Sequence, residues 1–267
     1  MSITVIIHTC NEEKNIKDCI ESARLLTKNI VVIDMESKDR TKEIVNNFQL
    51  PIYNFQKSDY VEPAREFGIK QTNTDWVLIL DADERITEEL TEEIRNVGND
   101  LRVVPNKGEH GGSPLQITYL KIPRQNIFGH TKWLKHGGWW PDYQIRLINK
   151  KYFVSWPKRI HSIPKIKGRF EYLKNPIIHY FHGDLEKMVE KTIIFEDIES
   201  DLLFKAKKDV NTLIFLRKYF AELWRRMFKS VGFLDGTVGI IESIYQAFSK
   251  TITYLFLYEK NYRSHKK

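Results

Sequence analysis

Over the first third of the chain, short apolar runs alternate with stretches whose apolar residues recur at helical spacing. "SITVIIHT" (2–9), "NIVVID" (29–34), "LPIYNF" (50–55) and "DWVLILD" (75–81) read as strands. Between the first two lies "EKNIKDCIESARLL" (13–26), with Ile16, Cys19, Ile20, Ala23 and Leu26 on one helical face. "SKDRTKEIVNNF" (37–48) starts like a capped helix, and "YVEPAREFGIKQT" (60–72) reads as helical after Pro63. "TEELTEEIRNV" (87–97) has the acidic first turn that suits a helix N-terminus. Nearly continuous apolar strands need cover on both faces, so the pattern predicts a mostly parallel sheet with helices on each side. Such sheets bind ligands at the carboxyl ends of their strands.

That placement gathers polar residues on one rim: Thr9 to Glu12 after the first strand, Asp34 to Asp39 after the second, Asp81 to Glu84 after the fourth. Asp81 and Asp83 are i and i+2, so on extended backbone their side chains point the same way. Two carboxylates on one face repel each other unless something cationic joins them. A divalent ion that prefers oxygen ligands, Mg²⁺ or Mn²⁺, binds one or two carboxylates together with substrate phosphates. Capping of the helix that starts near Thr87 is the plainer alternative; the apolar strand and the other rim acids favour the ion. Asp34 suits a ribose or base donor, and Arg65 is a cation able to face the same crevice. Ser37 and Asp39 are assigned to capping the following helix.

Beyond residue 97 the alternation fades. Residues 98–114 read as a polar insertion, and "LQITYLKIPRQNIF" and "YQIRLINKKYFVSW" as strands. Residues 184–208 are a charged helical stretch. Two further helices follow: Leu213, Leu216, Phe220, Leu223, Trp224 and Met227 share a face of one, and a polar line of Glu242, Gln246, Ser249, Lys250 and Thr253 interrupts the other. Neither has the roughly 20 mostly uncharged residues of a membrane span. They suit a membrane interface, or helix packing in a homodimer. Charge is asymmetric: residues 151–267 carry 22 Lys and Arg against 13 Asp and Glu, or +9, within a chain of net +7. An anionic partner fits that balance, as does a solvated basic face. The two cysteines, Cys10 and Cys19, form no metal-ligand spacing, and Met1 leads straight into the first strand pattern without a signal-peptide pattern. The expectation is a cytoplasmic protein, peripheral at the inner face of the membrane.

"IIHTCNEEKNI", "VVIDMESKDRT", "AREFGI" and "LDADE", in this order and spacing, resemble the nucleotide-sugar-binding domain of family-2 glycosyltransferases. The resemblance covers about residues 3–90. It implies a GT-A fold over 1–183, with 1–97 binding the donor and 98–183 the acceptor, followed by the basic helical region 184–267. It implies that Thr9, Asn11, Glu12 and Asp34 hold the nucleotide, a uridine one, with Arg65 near the base or diphosphate. It places Asp81 near ribose or metal and Asp83 on the metal.

"GGWWPDYQIRLIN" departs from the family's commonest pattern, which has a Glu-Asp pair before an Arg. Here Asp142 and Arg146 keep the acid and the base without the Glu, which is similar to the lipopolysaccharide-core glucosyltransferase subgroup. Sugar transfer needs a base for the acceptor hydroxyl and positive charge for the leaving diphosphate. Asp142 is the candidate base, with a turn role after Pro141 as the alternative, and Arg146 the candidate cation. Trp139 and Trp140 are candidates for sugar stacking or core packing. His161 is a candidate metal contact. His179 and His182 at i, i+3 fit one helix turn but lack a third ligand for zinc. The Gly-Gly pairs after His110 and His136 read as lids or as ordinary turns.

The expected activity is therefore inverting transfer from a UDP-sugar to a saccharide acceptor, preferably lipid-linked, with Mn²⁺ or Mg²⁺. A nucleotidyltransferase would want a glycine in "HTCNEEKN" to cradle a triphosphate. A nucleic-acid-binding module would leave the acidic rim unexplained, and no such signature appears.

Overall fold

The structure, a computed structural model, describes residues 1–103, 117–181 and 185–265, without the side chains of 99–103, 185, 187 and 265. The chain divides into two compact units, Met1–Gln125 with Tyr143–His179, and Asn126–Asp142 with Tyr180–Lys267.

The first unit begins with the expected alternation. β1 (Ile3–Thr9), α1 (Ile16–Leu26), β2 (Ile30–Asp34), α2 (Thr41–Asn47), β3 (Ile52–Asn54), α3 (Glu62–Lys70) and β4 (Trp76–Asp81) follow in sequence. A short β5 (Glu84–Arg85) and α4 (Glu88–Val103) come next. Strands β6 (Ile117–Phe128), β7 (Lys132–Trp133), β8 (Asp142–Asn149), β9 (Phe153–Ser155), β10 (Lys165–Ile166), β11 (Arg169–Tyr172) and β12 (Ile177–Phe181) complete the β structure. The main sheet has the order β3-β2-β1-β4-β8-β6-β12-β5, with β11 beside β6. β3, β2, β1 and β4 are parallel; β8 joins β4 antiparallel, as β12 joins β5. The sheet is therefore mixed, its parallel part confined largely to the N-terminal strands.

Both faces are covered because alternate residues of each strand are apolar. Val5, Ile7, Val32, Leu78 and Leu80 pack against Ile16, Cys19 and Ile20 of α1, Val45 of α2 and Leu90 of α4. Ile6, Ile33, Val77 and Ile79 pack on the other face against Ala64 and Ile69 of α3. Close approach of α3 depends on Gly68, where a Cβ would lie 2.8 Å from Ile6 Cγ2. Thr87 starts α4 by accepting the Leu90 amide at 3.1 Å.

Three expectations are corrected. Residues 98–103, the start of the stretch read as a polar insertion, continue α4, which runs to Val103. "YQIRLINKKYFVSW" is not one strand: a 3₁₀ turn at Lys150–Tyr152, capped by the Asn149 side chain accepting the Lys151 amide at 3.1 Å, separates β8 from β9. His179 lies on strand β12 rather than a helix turn. His182, Gly111 and Gly112 lie outside the described residues.

The second unit holds α5 (Leu185–Lys205), α6 (Thr212–Trp224), a π turn (Arg225–Lys229), a 3₁₀ turn (Gly232–Asp235) and α7 (Gly236–His265). It also takes in Asn126–Asp142. His136 donates its amide to Asp235 Oδ2 at 2.8 Å and pairs through Nδ1 with Oδ1 at 2.8 Å. Gly137, at φ +67°, donates to the Ser230 carbonyl at 2.7 Å, so this Gly-Gly pair is an anchored turn and not a lid. Among the described residues no helix is long and apolar enough to cross a membrane.

Candidate active site

Parallel pairing puts the rim residues side by side. In register, Thr9 is opposite Asp34, and His8 is opposite Asp81. The loops after β1 and β2 are latched together by side chains that polar loop sequences supply. The Asn11 amide donates to Ser37 Oγ at 2.8 Å, and Asn11 Oδ1 accepts from the Lys38 amide at 2.7 Å. The Glu12 amide donates to Thr41 Oγ1 at 2.9 Å, and the Glu13 amide to Asp39 Oδ2 at 3.0 Å. Asp39 also receives the Thr41 amide and hydroxyl at 3.0 and 2.6 Å. Burial would raise its pKa, but the Thr41 hydrogen bonds outweigh that and lower it. Ser37 thus ties the two loops together rather than capping α2, whose N-cap is Arg40, while Asp39 accepts at the start of α2 and from the Glu13 amide; Asn11 and Glu12 take part in the same latch.

Asp34 is fully buried and accepts from the Ser37 amide at 3.0 Å and from Lys42 Nζ at 3.2 Å through Oδ2. Its Oδ1 has no protein partner, and neither has the buried hydroxyl of Thr9. Asp81 Oδ1 and Arg65 NH1 are likewise shielded from solvent without a protein partner. Unpaired polar atoms are costly inside a protein, at about 1–3 kcal/mol each. Four of them at the carboxyl ends of β1, β2 and β4 and on the neighbouring α3 indicate a place that a polar ligand completes.

Asp81 does not depend on a metal for its charge balance. Its Oδ2 accepts from Arg65 NH2 at 3.0 Å and from Arg146 NH2 at 2.8 Å. Burial alone would raise the Asp81 pKa, but these two guanidiniums hold it well below the carboxylate range. Arg146 is buried on β8 and also donates to Glu84 Oε1, with Arg124 NH1 3.8 Å from the same oxygen. Glu84 is fully buried on β5, and its Oε2 accepts the Asp81 amide at 2.9 Å. Burial raises its pKa against the pull of Arg146. The expected leaving-group cation is therefore tied to two acids of the chain itself. His8 lies beneath this cluster; burial, aided by Arg65, lowers its pKa to about 3, so it is neutral. Arg65 also lies 5.3 Å over the Trp156 ring.

Asp83 is partly exposed, with His179 Nε2 3.6 Å from its Oδ2. Among the described residues no group of three or more His, Cys, Asp or Glu is placed to hold a metal. A carboxylate and an imidazole form the incomplete donor set of an ion that draws its other ligands from phosphate and water. His179 was noticed in the sequence only for a different spacing, and its pairing with Asp83 across 96 positions left no local signal. His161 is exposed at φ +55°, and its backbone amide donates to Glu62 Oε1 at 2.7 Å.

Asp142, the first residue of β8, accepts from Asn126 Nδ2 at 3.2 Å, and the same amide group reaches the Trp139 carbonyl at 3.2 Å. The two tryptophans are engaged within the second unit. Trp139 lies 4.9 Å from the Phe181 ring under the Arg226 guanidinium at 5.1 Å, and Trp140 meets Trp133 edge-on at 5.3 Å.

A family model described as glycosyl transferase family 2 matches residues 4–158. An uncharacterized glycosyltransferase of Rickettsia typhi is 27% identical, over 98% of this chain and 88% of its own length. One from Rickettsia prowazekii is 25% identical, over 93% and 84%. Among solved structures, residues 1–349 of S. aureus TarS in complex with UDP-GlcNAc match over 99% of this chain and 92% of theirs, at 16% identity and TM-score 0.44. Glucosyl-3-phosphoglycerate synthase from Mycobacterium tuberculosis, with Mn²⁺, UDP and glucosyl-3-phosphoglycerate, matches over 79% and 81%, at 14% identity and TM-score 0.46.

Proposed function

Because the chain belongs to glycosyl transferase family 2 and has its GT-A fold, we propose that it transfers a sugar from a UDP-sugar to a saccharide acceptor with inversion, by single displacement. Family membership sets aside the nucleotidyltransferase and nucleic-acid-binding alternatives. The observation that carries the donor assignment is the set of unpartnered buried polar atoms on Thr9, Asp34, Arg65 and Asp81 at one sheet rim. Asp34 Oδ1 and the Thr9 hydroxyl suit donors and acceptors of a base or ribose, and Arg65 NH1 an oxygen of the nucleotide.

Asp83, with His179 beside it, would hold Mn²⁺ or Mg²⁺, which when bound supplies positive charge to the diphosphate. Asp81 serves a different end. Pinned by Arg65 and Arg146, it stays ionised and fixes Arg65; Arg146 positions the Asp81 and Glu84 carboxylates rather than touching substrate. In the reaction the acceptor oxygen attacks the anomeric carbon opposite the diphosphate. The bond from that carbon to the phosphate oxygen breaks with its electron pair leaving on UDP, and Asp142 takes the hydroxyl proton. The acceptor in this reading is a cell-surface saccharide, preferably lipid-linked because the basic amphipathic helices suit a membrane surface. Trp139 and Trp140 act through packing, and His161 is assigned no metal contact.

Replacing Asp142 with Asn tests the base. Transfer should fall by roughly 10²–10⁴-fold while UDP binding stays at the wild-type level. Turnover close to wild type would place the base elsewhere.

A further inference from the structure

The helices of the second unit carry apolar residues on their outer as well as their inner faces. Helix α7 turns its polar line inward: Ser249 Oγ donates to Glu196 Oε1 of α5 at 2.6 Å, Thr253 reaches Glu196 Oε2, and the Tyr245 hydroxyl pairs with Thr192 at 2.7 Å. Glu222 of α6 receives Arg226 Nε at 2.7 Å. Ala247, Tyr254 and Leu257 of α7 are buried as well, yet many large apolar residues face out. On α6 Leu213 is 78% exposed, Phe220 59% and Trp224 63%, with Leu216 and Phe228 on the same stripe. They recur every three to four positions, so they form one continuous face. Ile241, Ile244, Phe248 and Leu255 form a similar exposed stripe on α7. Contiguous apolar surface of this kind marks an interaction site.

The charges beside the α6 stripe say what covers it. From Thr212 to Lys229 there are five basic residues and one acid, Glu222, and that acid is already bound by Arg225 and Arg226. Arg217, Arg225 and Lys229 are exposed alongside the apolar stripe. A twofold contact between copies would bring this patch against itself and oppose like charges. We infer that the outward face of α6 and the π turn docks on an anionic lipid bilayer, with Leu213, Leu216, Phe220, Trp224 and Phe228 in the acyl boundary and Arg217 and Lys229 among the lipid phosphates. Aromatic and aliphatic residues flanked by cations are the combination that an anionic interface retains. The thirteen residues of α6 span about 20 Å, and no described helix is built to cross, so α6 lies in the plane of the surface. This surface stands on the second unit alone and does not depend on the sugar-transfer reading.

Co-sedimentation of the full chain with vesicles tests it. Vesicles of equimolar phosphatidylcholine and phosphatidylglycerol should bind the protein roughly tenfold or more above phosphatidylcholine alone, and added salt should reduce the difference. Leu216→Glu and Trp224→Glu, both at exposed positions, should each abolish binding with an unchanged circular dichroism spectrum. Joint replacement of Arg217 and Lys229 by Gln should lower partition about tenfold. Absence of binding to either vesicle overturns the inference, as does binding that both Glu variants retain. So does a lipid-free dimer that Trp224→Glu converts to monomer, which would assign the face to a second copy.

Discussion

Asp81 and Asp83 sit two residues apart, yet their surroundings give them different work. Both side chains are about equally part-buried, at 24% and 23%, but Asp81 is paired with Arg65 and Arg146, whereas Asp83 lies beside His179. The spacing of the acids was legible in the sequence, but the partners that separate their roles come from 16, 65 and 96 positions away and follow only from the sheet register. Removing Arg146 leaves Asp81 and Glu84 facing each other in the interior. Arg146→Met should therefore cost about 3–5 kcal/mol, read from chemical denaturation. The Asp81 carboxyl is held low in the folded state, so its contribution is present above the unfolded value of about 4 and is lost as pH falls through the folded pKa. Glu84 works in the opposite sense: its raised pKa means that ionising it costs stability as pH climbs past the ordinary carboxylate value. Asp81→Asn should be less stable at neutral pH and should lose part of the acid-limb slope in unfolding free energy against pH. An unchanged slope would remove Asp81 from the linkage.

The first four strands and first four helices were legible because each buries a stripe whose period the sequence displays. β5 was not: no apolar run marks Glu84 and Arg85, and the partners that make a buried acid tolerable, Arg146, Arg124 and the Asp81 amide, come from other elements. The end of α4 was missed because the polar run after Gly98 carries no apolar stripe to mark a helix, yet the backbone stays helical to Val103. Gly68 sits mid-helix in α3, where glycine is unfavourable by about 1 kcal/mol against alanine, and its place is explained by the sheet beneath it. Gly68→Ala drives a methyl against Ile6 and Ile33, at 2.8 and 3.0 Å, so the net effect should be a loss of about 1–3 kcal/mol despite the gain in helix propensity. A rise in melting temperature in that variant would mean that α3 moves freely off the sheet.

At the scale of the whole molecule, the charge asymmetry follows chain order rather than the two units: residues 151–179 of the first unit alone hold seven basic side chains and one acid. The first 150 residues carry 20 basic and 22 acidic side chains, near balance, while the remainder carries the +9. On α6 and the π turn the helical unit sets five basic residues and one acid, between Thr212 and Lys229, beside an outward apolar stripe that the sequence showed as a shared face without revealing its direction. Direction was hidden because both faces of α6 and the π turn are apolar: Ile214, Phe215, Tyr219, Leu223 and Met227 are half-buried, while Leu213, Leu216, Phe220 and Trp224 are exposed. Sequence order also gave no sign that Asn126–Asp142 joins the helices, since that segment is tied to them by His136 with Asp235 and Gly137 with Ser230, about a hundred residues on.

The central claim, a uridine nucleotide site on the sheet rim with Asp83 on its metal side, is tested most directly by calorimetric titration of UDP into wild type and Asp83→Asn, with and without Mn²⁺. The account predicts that Mn²⁺ tightens UDP binding to the wild type by about tenfold or more and leaves Asp83→Asn unaffected, while both proteins stay folded. Failure of UDP to bind the wild type, or equal Mn²⁺ enhancement in the variant, would contradict it.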